Sequence, residues 1–550
     1  MSLPFKNLCI ALGLAFAGWC QAAPTLIENV HGYTLAGDDL KRFDGLVFEQ
    51  GKVVDAGDAA MLHQRFPAAQ VIDGHGKTLL PGLIDAHGHV FSLGFDTMAI
   101  DLVGSRNVKQ AQDIVRAYAK ANPKRVWLLG AGWNQEIWKL GRFPTAAELD
   151  AAIPNRPAVL ERVDGHAVWL NSKALQAAGI TKDTKDPSGG RIERDANGDP
   201  SGVLIDNAMN LVYKVVPEPS ETERRAALKV ALAHMNSVGL TSVGDAGCSA
   251  AEIAIYRQFA DQDLLSVRIY AMIADTGSDF QALSGNGPLI GYHDDRLSVR
   301  AVKLFADGAL GSRGAAMLAP YSDQADQRGL LFMPETVMQG KIETALKAGY
   351  QVNIHAIGDA ANHEVLDAFE AAYRNVGGRE QRNRIEHAQV IALSDIPRLK
   401  QLDLVASMQP THATSDMNMA ENRIGKERLK GAYAWRTLLS QGTRIAGGSD
   451  FPVESDNPFY GLYSAVTRTD HAGQPVGGWH PEQAMTLHEA FRAFTMDAAY
   501  AQHQENSIGS LEAGKWADFI LIDRDLFGIA PADIWKIKVE QTWVAGKRVH

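Results

Sequence analysis

Cysteine is nearly missing from this chain, with 3 in 550 residues at positions 9, 20 and 248. So few thiols exclude both a disulfide framework and a thiolate zinc cluster. Cys248, alone once the N-terminal segment described below is removed, reads as a small buried hydrophobe rather than a nucleophile. Basic residues are in deficit, 54 Lys+Arg against 64 Asp+Glu for a formal charge of −10. That balance argues against nucleic acid or an anionic membrane surface as a partner. Past the N-terminus no stretch of 18 uninterrupted apolar residues occurs, so a mature chain without a membrane span is expected. Repeats and low-complexity tracts are also missing. What is present is a core-forming composition, 46% hydrophobic with 10 Trp, which rules out disorder. The length fits several domains or one large barrel with additions, and needs no disulfide to bury a core.

The first residues read as a secretion signal. Lys6 is the only charge before Glu28, an apolar run covers 8–19, and Cys20-Gln-Ala-Ala23 follows with small residues suited to cleavage after Ala22. Acylation of Cys20 is the competing reading, weakened by the bulky Trp19 before it. We therefore expect residues 1–22 to be a signal peptide and the mature protein to be exported, most simply to the periplasm.

Residues 25–77 give short β-like pieces with turns, and so do 519–522 and 538–544. Each set is too small to cover a core, so the two ends are expected to meet in one small β-sandwich, 23–80 with 501–550. Between them, short apolar runs alternate with amphipathic helical stretches such as 221–238, 338–348 and 360–374. Eight strands are expected, at 79–85, 240–243, 267–272, 297–305, 351–355, 384–387, 404–408 and 444–446. Eight βα units define an α/β fold of the (β/α)8 TIM-barrel type over 81–500. The gap after the first strand is too long for a loop and reads as an inserted α/β lobe, about 101–238.

The first strand leads into Pro81-Gly-Leu-Ile-Asp-Ala-His-Gly-His89. Residues two apart on an extended chain share a face, so His87 and His89 can converge on one ion. Alone the signal is weak: 17 His in 550 residues produce about half of one His-x-His by chance. Recurrence at strand ends strengthens it. Lys303 lies near the end of the fourth strand, His355 and His387 end the fifth and sixth, and Asp450 follows the eighth. In a barrel those ends form one ring, where active sites lie. Four imidazoles, a lysine and a carboxylate would then share one pocket, with only N and O donors for a metal.

These motifs resemble the amidohydrolase superfamily of metal-dependent hydrolases. The resemblance is strongest to its amidohydrolase-3 (YtcJ-like) branch, which includes N-substituted formamide deformylases. It runs from about Thr25 to the C-terminus and rests on the His-x-His segment and five further motifs. These are Val302-Lys-Leu-Phe-Ala-Asp-Gly-Ala-Leu-Gly-Ser-Arg313, Asn353-Ile-His-Ala-Ile-Gly-Asp359, Arg384-Ile-Glu-His-Ala388, Gly448-Ser-Asp-Phe-Pro452 and Gly509-Ser-Leu-Glu-Ala-Gly-Lys-Trp-Ala-Asp518. The resemblance implies that His87, His89 and Asp450 hold a buried metal and that His355 and His387 hold an outer one. It also implies that Lys303, if carbamylated, bridges them; an unmodified Lys303 over a single metal is the alternative. One or two zinc ions suit the donor set, with manganese, iron or cobalt next. Asp450 would act as general base and acid in hydrolysis of a non-peptide C–N bond of a small amide-like molecule. One departure is Gly244, where relatives often carry His.

Candidate substrate contacts are Arg313, suited to a carboxylate, Trp133 and His166 from the lobe's Gly132-Trp133 and Asp164-Gly-His166 segments, and His412 after the seventh strand. Two rivals stay open: an N-acyl-D-amino acid deacylase or cyclic amidase, in which Arg313 would meet the substrate carboxylate, and a non-catalytic regulator on the same scaffold. Homo-oligomer formation is also left open.

Overall fold

The computed structural model describes residues 23–163, 165–187 and 189–550. The expected signal peptide, 1–22, and Asp164 lie outside these residues. Among the described residues no helix is long and apolar enough to cross a membrane.

Eight parallel strands form the central sheet: β1 (Leu83–Gly88), β2 (Leu240–Cys248), β3 (Arg268–Ala274), β4 (Leu297–Phe305), β5 (Gln351–Ala356), β6 (Arg384–His387), β7 (Val405–Met408) and β8 (Ile445–Gly447). Helices cover its outer face, which is why these strands read as nearly unbroken apolar runs. Helix Glu221–Ser237 is typical: Ser220 and Glu223 form a capping box, and Leu228, Leu232 and Met235 are buried on its inner stripe. Seven pairings run in order from β1 to β8. The remaining seam is closed by side chains and two backbone bonds, one of them from the His89 amide to the Phe451 carbonyl at 2.8 Å. Asp85 accepts from Ser449 N–H (3.1 Å), Ser449 Oγ (2.6 Å) and His87 N–H (2.9 Å). The Asp450 amide donates to the His87 carbonyl at 2.7 Å.

The first strand differs from the expected 79–85. Residues up to Pro81 pair with Phe519–Ile522 in the end sheet, and the barrel strand begins only at Leu83. Gly82 separates the two, its N–H donating to Asp518 rather than to either ladder.

The chain ends meet in one seven-stranded sheet in the order 547–548, 539–544, 519–522, 70–81, 25–36, 39–49, 52–57. The sheet curls until Phe48, near one end, packs at a steep tilt against Phe519 and edge-on against Trp543 near the other. The two layers of the expected sandwich thus come from one continuous sheet. Arg268 at the base of β3 fastens this sheet to the barrel through Asp518, with Nε–Oδ2 at 2.6 Å and Nη2–Oδ1 at 3.0 Å, both residues buried. Removing one member of a buried pair strands the other charge, so Arg268→Ala should cost about 3–5 kcal/mol in urea unfolding. A loss below about 1 kcal/mol would show that the pair is not holding the two units together.

The inserted lobe carries its own six-stranded sheet, from Ile100–Asp101 to Pro200–Asp206. Helix Val108–Ala121 and the rings of Trp133, Trp138 and Trp169 form its core. Helix Glu221–Ser237 lies outside this sheet and packs on Val90–Thr97 of the barrel wall.

Candidate metal centre and active site

The strand ends do converge. His87 is fully buried at the end of β1, and His89 follows as the residue capping helix Val90–Thr97. His87 Nε2 lies 3.4 Å and His89 Nε2 3.1 Å from the same oxygen, Oδ1 of Asp450. Lys303 Nζ on β4 is 3.3 Å from His87 Nε2. The ring of His387 lies 4.9 Å from that of His87 and 4.6 Å from that of His355. His412 stacks on His387 at 5.8 Å and places Nε2 3.7 Å from Asp450 Oδ2.

Backbone geometry aims two of these groups. Strand alternation on β6 puts Ile385 against the outer helices and Glu386 inside, so His387 would follow Ile385 outward. A left-handed φ of 72° at His387 turns its ring back to the pocket, and Asp450 has a φ of 61°. Non-glycine residues hold this conformation at a cost of about 1 kcal/mol or more, a cost typical of functional sites.

Two of the ligand imidazoles, those of His87 and His387, have a partner that fixes the other nitrogen. His87 Nδ1 is 2.5 Å from Glu386 Oε2, whose other oxygen is 2.9 Å from Arg384 Nε. His387 Nδ1 is 2.8 Å from Gln409 Oε1. These contacts leave Nε2 of both rings facing the pocket. Burial alone would raise Glu386, yet the charges of Arg384, His87 and Lys303 hold it down at about 2. Burial would likewise raise Asp450, but the His87 and His89 rings against its Oδ1 keep it well below the usual carboxylate range. Burial pushes Lys303 down to about 8 and, aided by the Lys303 charge, His355 down to about 3. His387 is also lowered by burial, so the ring that faces the pocket is neutral and able to bind a cation. Behind His355, the buried carboxylate of Asp307 accepts the N–H groups of Ala316, Ile357 and Gly358.

The residues fit a divalent ion. Donor atoms of His87, His89 and Asp450 lie within 4.8 Å of one another, as do those of His387, His412 and Asp450. His355 Nε2 and His412 Nε2 are buried with no hydrogen-bond partner, a costly state that a cation relieves. His89, His355, His387, His412 and Asp450 line a cavity of about 420 Å³ together with Phe305, Leu310, Ile357 and Val453.

Three expected substrate contacts lie elsewhere. Trp133 is fully buried in the lobe core, its Nε1 donating to the Leu160 carbonyl and its ring 6.4 Å from Trp138 and 6.5 Å from Trp169. Arg313 forms a two-point ion pair with Asp323, at 3.1 and 2.8 Å, in its own loop, which satisfies the guanidinium before any substrate carboxylate can. His166 is exposed with Nδ1 2.8 Å from Asp206, and the cavity lining does not include it. His412 does line the cavity. Sequence reasoning passed over Glu386, Gln409, Asp307 and Asp85. Glu386 was recoverable, since alternation along Arg384-Ile-Glu-His387 places it beside Arg384 on the inner face; the others carried no local signal. Gly244 also has a structural reason: β2 approaches β1 so closely that a Cβ there would lie 2.3 Å from the Ala86 carbonyl oxygen.

A parallel barrel with imidazoles and a carboxylate ringing the ends of its strands defines a metal-dependent hydrolase. Residues 70–550 match the model of the amidohydrolase family, and the chain belongs to that family. YtcJ of Bacillus subtilis, named as an amidohydrolase, is 32% identical over 92% of this chain and 96% of its own. The N-substituted formamide deformylase of Arthrobacter pascens is 30% identical over 87% of this chain and 90% of its own. The crystal structure of an uncharacterized metal-dependent hydrolase from Pyrococcus horikoshii superposes with a TM-score of 0.78 at 27% identity, covering 92% of this chain and 99% of that one. The protein is accordingly a hydrolase acting on carbon–nitrogen bonds other than peptide bonds.

Proposed function

We propose that the protein hydrolyses the C–N bond of small amide-like molecules, with a zinc ion held by His87, His89 and Asp450. The observation that carries this reading is the approach of two imidazole Nε2 atoms, at 3.4 and 3.1 Å, to one oxygen of Asp450 beside a substrate-sized cavity. When bound, such an ion acidifies a water and polarises a carbonyl. Zinc is the first choice for an all-N/O donor set. Glu386 and Gln409 keep the ligand rings in the tautomer with Nε2 unprotonated. Asp450 stays ionised: Oδ1 faces His87 and His89, leaving Oδ2 to take a proton from the attacking water and return it to the leaving nitrogen. The apolar lining of that cavity holds the carbon portion of the substrate and keeps bulk water out.

Lys303 is buried beside His87. Burial favours its neutral amine, the form that adds CO2; unmodified, it stands over the single ion held by His87, His89 and Asp450. Arg313 is engaged by Asp323 and does not line the cavity, which lends the deacylase alternative no support. We also read residues 1–22 as a cleaved signal and assign the mature protein to the periplasm.

Elemental analysis of purified protein, paired with hydrolysis assays on N-formyl, N-acyl and cyclic amides, tests the proposal. We expect about one or two zinc per chain, turnover of at least one amide class, and loss of turnover after chelation. A metal-free protein inert to the whole panel would favour a binding or regulatory role.

A further inference from the structure

The two oxygens of Asp450 face two different pairs of imidazoles. Oδ1 lies 3.4 Å from His87 Nε2 and 3.1 Å from His89 Nε2, while Oδ2 lies 3.7 Å from His412 Nε2. Donor atoms of His387, His412 and Asp450 are within 4.8 Å of one another. Gln409 holds Nδ1 of His387, which leaves Nε2 as its free donor, and Nε2 of His412 is buried without a hydrogen-bond partner. The two rings are stacked, 23° apart in plane, so their free edges run side by side. His355, whose ring also lies 4.6 Å from that of His387, has its Nε2 3.4 Å from a different carboxylate oxygen, Oδ1 of Asp307.

We propose that His387, His412 and Oδ2 of Asp450 form a second position for a divalent cation, and that its filling stops turnover. The inference rests on the reading of Asp450 as the base. An ion held on Oδ2 makes that oxygen a far poorer proton acceptor, because the cation already draws on the negative charge that a proton would neutralise. The protein therefore works with the His87–His89 position filled and is inhibited when excess metal fills the second. A helix turn beyond β7 supplies His412, so this position needs neither Lys303 nor its modification.

The full-length purified chain, dialysed against rising zinc, tests this, with bound zinc counted by elemental analysis and amide hydrolysis followed alongside. Uptake of a first ion should accompany full activity, and uptake of a second a fall of about ten-fold or more. His412→Gln should weaken the second uptake by about ten-fold or more and leave the first. His412→Asn is the substitute if the Gln variant misfolds by circular dichroism. Lys303→Met should keep both uptakes. The proposal is overturned if the second uptake survives unchanged in the His412 variants, if it vanishes in Lys303→Met, if it occurs without loss of turnover, or if only one ion ever binds. A chain that takes up no zinc at all overturns the proposed hydrolytic reading as well.

Discussion

Asp450→Asn should lower amide turnover by about 10²- to 10⁴-fold, the usual worth of a positioned general base. Asparagine is the right replacement for a conformational reason. Asp450 has a φ of 61°, a region that Asn and Asp enter most readily among side-chain-bearing residues, whereas Ala would add backbone strain to the chemical change. The seam between β8 and β1 uses the Asp450 amide, not its carboxylate, so barrel closure should survive. Thermal unfolding of the variant close to that of the parent, together with lost turnover, would separate chemistry from folding. Turnover near the parent level would remove Asp450 from the base role and direct attention to Asp307, the buried carboxylate beside His355.

Much of this centre was legible because a barrel converts sequence position into spatial position. Once eight apolar runs are recognised, any polar residue at a strand end is assigned to the ring, which is how His87, Lys303, His355 and His387 could be placed together. What stayed hidden depends on loop conformation or on partners from other elements. The left-handed turn that brings His387 inward has no signature in Arg384-Ile-Glu-His387 itself. Arg313 looked like a substrate anchor because its partner Asp323 reaches it only through the fold of their shared loop, a contact reinforced by the ion pair of Arg423 with the same carboxylate. Trp133 belongs to a lobe core of three tryptophans whose mutual packing requires strands 128–133 and 158–162 to pair, information absent from either segment alone. Gly82 shows the limit of reading strands by hydrophobicity: 79–80 and 83–84 are equally apolar, yet they serve different sheets.

Glu386→Gln is expected to lower stability strongly and to reduce metal affinity as well. Glu386 is wholly buried between Arg384 Nε at 2.9 Å and His87 Nδ1 at 2.5 Å, and Arg384 is itself fully buried. Neutralising the carboxylate leaves the guanidinium in the barrel interior without a counter-charge, at a cost of about 3–5 kcal/mol in chemical unfolding. The same change weakens the contact that orients His87, so zinc affinity should fall by about 10- to 100-fold. The two losses have different origins and can be separated. Replacing both charges in the Arg384→Met, Glu386→Met double variant removes the uncompensated charge and should restore most of the stability, since an apolar pair of similar volume is often as stable as the ion pair it replaces. It restores no partner for His87 Nδ1, so zinc affinity should stay low. Recovery of zinc binding along with stability would mean that Glu386 serves the barrel core alone; stability regained without zinc affinity identifies the carboxylate as the group that holds His87 ready for the ion.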